Sequence, residues 1–143
     1  MKKNVKKIIF PTKISMGKRP WGKEDLLVLI PKILTLKKIF IKKGSKGGLQ
    51  YHRKKMECGY LVKGKLLVRF ASGNGKIKKK ILNPGSHFYF PKRLVHQEEA
   101  IKDCVIIEAS SPHFNDRVRV EKEYNLMSKE GLPSTKLKDI KFV

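Results

Sequence analysis

Short apolar segments recur along the chain from Leu26 onward, separated by Gly, Pro and Asn residues. Closely spaced segments of this kind, rich in Ile, Val, Leu and Phe, are typical of an all-β sandwich or barrel. No ten-residue segment has the 3.6-residue apolar period of an amphipathic helix, so helix is at most a minor component. The predicted strands cover 25–30, 34–42, 49–53, 57–62, 65–71, 76–82, 87–90 and 103–110.

Turn-forming residues separate several of these segments. Gly73-Asn74-Gly75 predicts a hairpin between the fifth and sixth segments, because this sequence suits a tight two-strand turn. Pro84-Gly85 predicts another turn, which leads into the strand that ends at Pro91. Gly64 predicts a turn between the fourth and fifth segments.

The length of 143 residues suffices for one domain with a buried core. We expect a basic lead-in over 1–15, with Ile8–Phe10 as a candidate edge strand, one domain over 16–125 and a loosely held tail over 126–143. The longest apolar run, Leu26–Ile30, is too short to span a bilayer, and Ile8–Phe10 is too short for a secretory signal. The sequence therefore predicts a cytoplasmic protein without membrane contact.

The net charge of +22 comes from 34 Lys and Arg residues against 12 acidic ones. A charge of this size attracts polyanions, so nucleic acid has to be considered as a partner. The lysines, however, are spread from Lys2 to Lys141 without interleaved stacking aromatics, and no DNA-binding motif spacing is present. Nucleic acid is therefore not the expected partner, whereas the charge would help attract a small phosphorylated substrate.

Two stretches carry residues that suit metal binding. Gln50 and His52 are two apart on a predicted strand, so their side chains share one face. Glu57 begins the next strand and can join them if it also faces the interior, and His96 follows the strand that ends at Pro91. Imidazole, carboxylate and amide oxygen are ligands for divalent metals. The candidate metal ligands are therefore Gln50, His52, Glu57 and His96.

The spacing around the first of these stretches resembles the first sequence motif of cupins. That motif runs Gly, five residues, His-x-His, three or four residues, Glu, six residues, Gly. This chain has the same intervals in Gly44, Gln50-x-His52, Glu57 and Gly64. Gln50 replaces the first motif histidine, and its amide oxygen is a weaker ligand than imidazole.

The second stretch resembles the second cupin motif, with Gly85, Pro91 and His96 at the expected intervals. Arg93 and Ala100 replace the motif glycine and asparagine, which belong to the loop and its turn. The resemblance implies an all-β, single-domain cupin with a jelly-roll β-barrel. It also implies one divalent metal ion, with zinc expected first and manganese, iron, nickel and cobalt also compatible.

Further residues fit a narrower pattern. They are Arg19-Pro20-Trp21-Gly22, Gln50, His52, Glu57, Glu108, Asp116, Arg119, Glu121 and Tyr124. This pattern resembles the cupin domain of type II phosphomannose isomerases, which often occur fused to a mannose-1-phosphate guanylyltransferase. A Gln-x-His pair is usual in that family. The resemblance implies interconversion of mannose 6-phosphate and fructose 6-phosphate, Glu108 as catalytic base, Arg119 as phosphate-binding residue, and a homodimer.

The chain departs from that family at several positions. Arg53 and Lys54 stand where the family continues with histidines, and Asn115 beside Asp116 replaces one of two aspartates. We interpret Arg53, Lys54 and Lys55 as solvated charges. These departures bear on the expected substrate more than on the expected fold or the expected metal.

Two other functions stay open at this point. One is a non-catalytic cupin that binds a sugar or nucleotide-sugar, and the other is a small iron-dependent oxygenase, because one scaffold serves several chemistries. Trp21 is expected to pack at the core or the rim, and His113 has no expected role.

Overall fold

The computed structural model describes residues 9–114, 116–120 and 124. The strands in this part of the chain are β1 (Ile14–Arg19), β2 (Gly22–Ile30), β3 (Leu34–Ile41), β4 (Gln50–His52), β5 (Glu57–Ala71), β6 (Ile77–Leu82), β7 (His87–Phe90), β8 (His96–Ser110) and β9 (Arg117–Arg119). The described residues contain no helix, and so none that could cross a membrane. The prediction of an all-β chain is confirmed.

All strand pairs are antiparallel. The main path of hydrogen-bonded neighbours runs β1-β2-β3-β8-β4-β9, and β5 adds to it by pairing with β6, β7 and β8. The two strands β5 and β8 are each fifteen residues long and are paired along most of their length. Because both bend near their middle, the sheet curls over itself into a half-open barrel.

Gly64 marks the bend in β5. The pairing register with β8 shifts on both sides of this residue, and Gly64 has a φ of +103°, a conformation that favours glycine. A Cβ atom at Gly64 would lie 2.2 Å from the backbone oxygen of Asp103 on β8. The absence of a side chain therefore lets the two strands approach each other at the bend.

The prediction of a turn at Gly64 is wrong. Residues 57–62 and 65–71 belong to one continuous strand, and the glycine forms a bulge within it. Lys63 and Lys65 interrupt the apolar alternation at this point, so the sequence pattern resembles a break between strands. The strand predicted over 103–110 likewise begins earlier, at His96.

The edge strand predicted at Ile8–Phe10 is also wrong. Ile9 and Phe10 lie outside any strand and are 82% and 88% exposed, while Ile8 falls outside the described residues. The edge strand is β1 instead, where Ile14 and Met16 alternate with polar residues and pack against Leu26. This alternation buries one face of β1, whereas Ile9 and Phe10 are both exposed.

Two predicted turns are confirmed. Gly73-Asn74-Gly75 joins β5 and β6, which pair in antiparallel register, and Gly75 has a φ of +75°. Pro84-Gly85 precedes β7, and Gly85 has a φ of +91°. Both glycines supply the left-handed backbone conformation that other residues adopt at a cost.

Apolar side chains from both halves of the curled sheet form one main core. Each large aliphatic side chain that is fully buried contributes about 1.5–3 kcal/mol of hydrophobic stabilisation. Trp21 packs against this core and also borders a cavity beside it. The buried members are Ile39, Ile41, Leu61, Leu66, Val68, Leu82, Phe90, Ala100, Cys104 and Ile106.

Candidate metal centre

Three separate strands bring the four predicted ligands to one cavity. Gln50 and His52 are the first and last residues of β4, and Glu57 and His96 are the first residues of β5 and β8. Gln50 and His96 are cross-strand partners, so their side chains lie on the same face. All four residues line the cavity, which has a volume of about 120 Å³.

The donor atoms of His52, Glu57 and His96 form a compact group. The Nε2 atoms of His52 and His96 lie 3.3 and 3.1 Å from Oε1 of Glu57. One donor atom from each of the three residues lies within 4.8 Å of the others, and all three side chains are buried. A compact group of two imidazoles and one carboxylate matches the ligand types that divalent transition metals take in proteins.

Several of these donor atoms have no hydrogen-bond partner. Oε1 of Gln50 and Nε2 of both His52 and His96 are fully buried without a well-formed hydrogen bond, although the two Nε2 atoms face Oε1 of Glu57. Buried polar atoms are rarely left unpaired because the loss of hydration is costly. Nδ1 of His96 lies 2.9 Å from the carbonyl oxygen of Leu94, which leaves Nε2 as the lone-pair atom that faces Glu57. The residues present therefore fit a divalent metal ion.

The charges of the group reinforce this arrangement. Burial acts to raise the pKa of Glu57, but Lys55 and the two imidazoles outweigh burial and hold the pKa well below its usual range. Burial lowers the pKa of His52 despite the attraction of Glu57. For His96 burial acts in the same direction, but Glu57 outweighs it and the pKa is raised. Glu57 is therefore ionised, as a metal ligand must be.

Lys55 is not a solvated charge, and that interpretation is wrong. Its side chain is only 12% exposed, and its Nζ forms an ion pair with Oε2 of Glu57 and lies 3.4 Å from Oε1 of Glu108. These two carboxylates outweigh burial and raise the pKa of Lys55. Arg53 and Lys54 are exposed, as predicted.

Asp116 anchors the backbone of the segment that carries Lys55. One oxygen of its carboxylate accepts hydrogen bonds from the backbone amides of Lys54 and Lys55, at 2.5 and 2.7 Å. Its backbone oxygen accepts a third hydrogen bond from the Arg53 amide. Asp116 therefore holds the loop between β4 and β5, whereas Asn115 beside it lies outside the described residues.

Glu108 and Glu98 add two carboxyl groups to the cavity. Glu108 is buried on β8, and burial raises its pKa although Lys55 acts in the opposite direction. Burial, with Glu57 and Glu108 nearby, also raises the pKa of Glu98 to about 7. Glu98 was not among the predicted site residues. It follows His96 by two positions on one strand, so the two side chains point to the same face of the sheet.

The arginine that borders the cavity is Arg117 and not the predicted Arg119. Arg119, the predicted phosphate-binding residue, lies two residues further along β9 as the cross-strand partner of Gln50 and is outside the set of cavity-lining residues. Burial lowers the pKa of Arg117, and Arg119 acts in the same direction. Glu121, which belongs to the residues that carry the family resemblance, lies outside the described residues.

The remaining walls carry a second buried ion pair and an aromatic side. Lys37 of β3 donates to Oε1 of Glu24 on β2 at 2.7 Å, and its Nζ lies 5.5 Å from the centre of the Phe114 ring. His113, which had no expected role, also borders the cavity, and its Nδ1 lies 3.0 Å from Oγ of Ser111. The cavity is therefore strongly polar, with acids and bases on opposing strands.

Comparison with known proteins identifies related sequences over most of the chain. The family described as Cupin matches residues 19–138. Germin-like protein subfamily 3 member 2 of Arabidopsis thaliana is 30% identical over 84 residues, which is 59% of this chain and 37% of that protein. The chain thus spans little more than a third of the length of this curated relative.

Solved structures share the fold. CapF, the capsular polysaccharide assembling protein of Staphylococcus aureus, has a TM-score of 0.65 at 21% identity, over 74% of this chain and 34% of CapF. KdgF from Halomonas sp. has a TM-score of 0.60 at 23% identity, over 69% of this chain and 86% of KdgF. An oxalate decarboxylase of Bacillus subtilis has a TM-score of 0.61 at 19% identity, over 74% of this chain and 30% of that protein. At these identities the likeness concerns the fold alone.

Proposed function

This chain belongs to the cupin family, as its two motifs predict, and from that premise we propose that it is a metal-dependent sugar-phosphate isomerase. The proposed reaction interconverts mannose 6-phosphate and fructose 6-phosphate. The observation that carries the proposal is the pair of buried carboxylates in one cavity, where Oε1 of Glu57 faces the Nε2 atoms of two imidazoles and Glu108 lies beyond Lys55. One carboxylate is available to a metal and the other to a proton.

The proposed ligands are the two imidazoles, one carboxylate oxygen and the amide oxygen of Gln50. A divalent metal held there would supply Lewis acidity toward the oxygens of a bound sugar. Zinc, manganese, iron, nickel and cobalt all accept this mixed nitrogen and oxygen ligand set, and zinc is the one we expect first.

Glu108 is proposed as the general base. Isomerisation moves a proton between C1 and C2 of the sugar, so a group near the substrate has to accept that proton and return it. Burial raises the pKa of Glu108, which brings the carboxyl group closer to the pH at which it can do both. Lys55 holds Glu108 in place from the side of Glu57.

The phosphate group is proposed to bind at β9. A guanidinium group matches the oxygens of a phosphate through two parallel hydrogen bonds. Arg119 is the residue that the family resemblance implies, and Arg117 is the one that borders the cavity. The overall charge of +22 would raise the rate at which an anionic sugar reaches the cavity.

A coupled isomerase assay tests the proposal. Protein reconstituted with zinc, manganese, cobalt or nickel is given mannose 6-phosphate, and fructose 6-phosphate formation is measured. We expect Glu108→Gln to reduce turnover about 10²–10⁴-fold with metal binding intact, since it removes only the base. Glu99→Gln is the control, because Glu99 lies on the same strand but pairs with Arg69 away from the cavity. Absence of turnover with all four metals would reject the isomerase.

An iron-dependent oxygenase is the second candidate, and one observation favours it. Two histidines and one carboxylate with further positions open are the ligand set of many non-haem iron oxygenases. The bases that border the cavity favour an anionic substrate for such an enzyme. Oxygen consumption by the Fe²⁺-loaded protein in the presence of small carboxylates, without isomerase activity, would replace the first proposal by this one.

A further inference from the structure

We propose that Lys55 determines which metals the site accepts, because it withholds carboxylate oxygens from the metal. The inference rests on the proposed metal site, but not on the proposed reaction. Lys55 lies between Glu57 and Glu108 and forms ion pairs with both. It is thus a positioning residue, which acts on the metal through its two carboxylate neighbours.

The two oxygens of Glu57 face different partners. Oε1 lies 3.3 and 3.1 Å from the Nε2 atoms of His52 and His96, whereas Oε2 is paired with the Lys55 ammonium. A metal bound between the imidazoles would therefore meet one oxygen of Glu57, while the other oxygen stays tied to Lys55. The ammonium restricts Glu57 to a single donor atom.

Lys55 keeps Glu108 from binding the metal in the same way. Its Oε1 lies 3.4 Å from the Lys55 Nζ, and its side chain borders the same cavity as the imidazoles. Without a cation beside it, a second carboxylate in the same buried cavity would be drawn toward a divalent metal, since opposite charges attract strongly in a buried site. Lys55 supplies that cation and leaves Glu108 outside the ligand set.

The position of Lys55 is built into the fold. The carboxylate of Asp116 accepts hydrogen bonds from the backbone amides of Lys54 and Lys55, and so holds the backbone at this position. The side chain of Lys55 is only 12% exposed. Asp116 thus holds the backbone of Lys55, and the two acids hold its ammonium.

The consequence concerns the type of metal. Imidazole-rich sites with few carboxylate oxygens suit Zn²⁺, whereas additional carboxylate oxygens suit harder cations such as Mn²⁺. Both ions carry the same charge, so the loss of the Lys55 charge alone would strengthen the binding of both equally. The ratio of the Zn²⁺ and Mn²⁺ affinities should therefore change only if the number of oxygen ligands changes. Such a change is expected if Lys55 positions the two carboxylates.

The test measures dissociation constants for Zn²⁺ and Mn²⁺ by chelator competition in wild type, Lys55→Met and Lys37→Met. We expect Lys55→Met to strengthen Mn²⁺ binding about tenfold more than Zn²⁺ binding, within the range known for residues that contact metal ligands. Lys37→Met is the matched control, since it removes a buried lysine of the same cavity that pairs with Glu24 instead. Its ratio of the two constants should equal that of wild type.

Two results would overturn the inference. They are an unchanged ratio in Lys55→Met, whether or not both metals bind more tightly, and an equal change of the ratio in Lys37→Met. If Lys55→Met does not fold, Glu108→Gln with Lys55 in place tests the same inference. This variant should keep the wild-type ratio of the Zn²⁺ and Mn²⁺ dissociation constants. A shift toward Zn²⁺ would mean that Glu108 already binds the metal, which would overturn the inference. If the ratios of metal affinities are as expected but the protein has no isomerase activity, the proposed reaction is rejected and the inference about Lys55 stands.

Discussion

Glu24 and Lys37 illustrate at the scale of single residues how charges are kept inside the barrel. Their side chains are 12% and 8% exposed, and Oε1 of Glu24 lies 2.7 Å from Nζ of Lys37. An ionised group in such a place is costly unless an opposite charge is adjacent. Glu57 and Glu108 follow the same rule, because they share Lys55. Removal of one partner leaves the other as an uncompensated buried charge.

The Glu24–Lys37 pair predicts a specific loss of stability in acid. Burial acts to raise the pKa of Glu24, but Lys37 outweighs burial and the pKa lies below its ordinary value of 4.5. Because the folded-state pKa is the lower one, the contribution of Glu24 is fully present above pH 4.5 and is lost as the pH falls through the folded-state value. We expect Glu24→Gln to destabilise the protein by about 3 kcal/mol at neutral pH, and by progressively less in acid.

Denaturant unfolding of wild type and Glu24→Gln, from about pH 7 down to about pH 3, measures this difference. Glu99→Gln serves as control, since its partner Arg69 and Glu99 itself are 17% and 29% exposed, and it should cost less than about 1 kcal/mol. A difference between wild type and Glu24→Gln that stays constant over this pH range would contradict the prediction.

Single residues also show how far the site could be predicted from sequence. The four proposed ligands were found because their spacing repeats a known motif, and the structure brings all four to one cavity. Lys55 was missed because it stands in a run of three basic residues, 53–55, that resembles a solvated loop. Its side chain turns inward to Glu57 and Glu108, and Glu108 is so distant in sequence that nothing local indicates the contact.

At the scale of elements, the bend of β5 against β8 positions the site. Glu57 and His96 begin these two strands and therefore lie at opposite ends of the paired ribbon. Only when the ribbon folds back near Gly64 can the two residues reach each other. The bulge at Gly64 thus contributes to the site although it lies far from the donor atoms along the strand.

Gly64→Ala is expected to destabilise the protein by about 1–3 kcal/mol, because φ at this position is +103° and the new Cβ would meet the Asp103 oxygen at 2.2 Å. Gly73→Ala is the matched control. A Cβ at Gly73 meets no atom within 4 Å, so this change should stay within about 0.5 kcal/mol. Thermal and denaturant unfolding measure both variants, and equal effects of the two changes would contradict a structural role for the bulge.

The prediction of strands succeeded where apolar and polar residues alternate regularly, and it failed where that alternation is interrupted. The segments of β2, β3, β6 and β7 were predicted because apolar residues and turn signals bound them clearly. The continuity of β5 was missed because lysines flank Gly64, and β9 was missed because three residues, Arg117–Arg119, carry too little pattern. Pairing across the sheet, rather than local preference, defines both elements.

At the scale of the whole molecule, the proposed ligands link parts of the chain that are far apart in sequence. They come from β4, β5 and β8, and the strands between them form much of the curled sheet. A metal that binds all of them would favour the folded state over the unfolded chain, in which these residues are separated. Binding at a hundredfold excess over the dissociation constant would add about 2.7 kcal/mol.

Thermal unfolding with and without metal checks this link between site and fold. For a domain of this size, saturating Zn²⁺ should raise the melting temperature by roughly 5–10 °C. The double variant His52→Ala, His96→Ala should lose that increase, because both imidazole ligands are gone. His87→Ala, a change at an exposed residue of β7 outside the cavity, should retain it. If the double variant keeps the full increase, the stabilising metal binds elsewhere, and the cavity between β4, β5 and β8 is not the metal centre of this cupin.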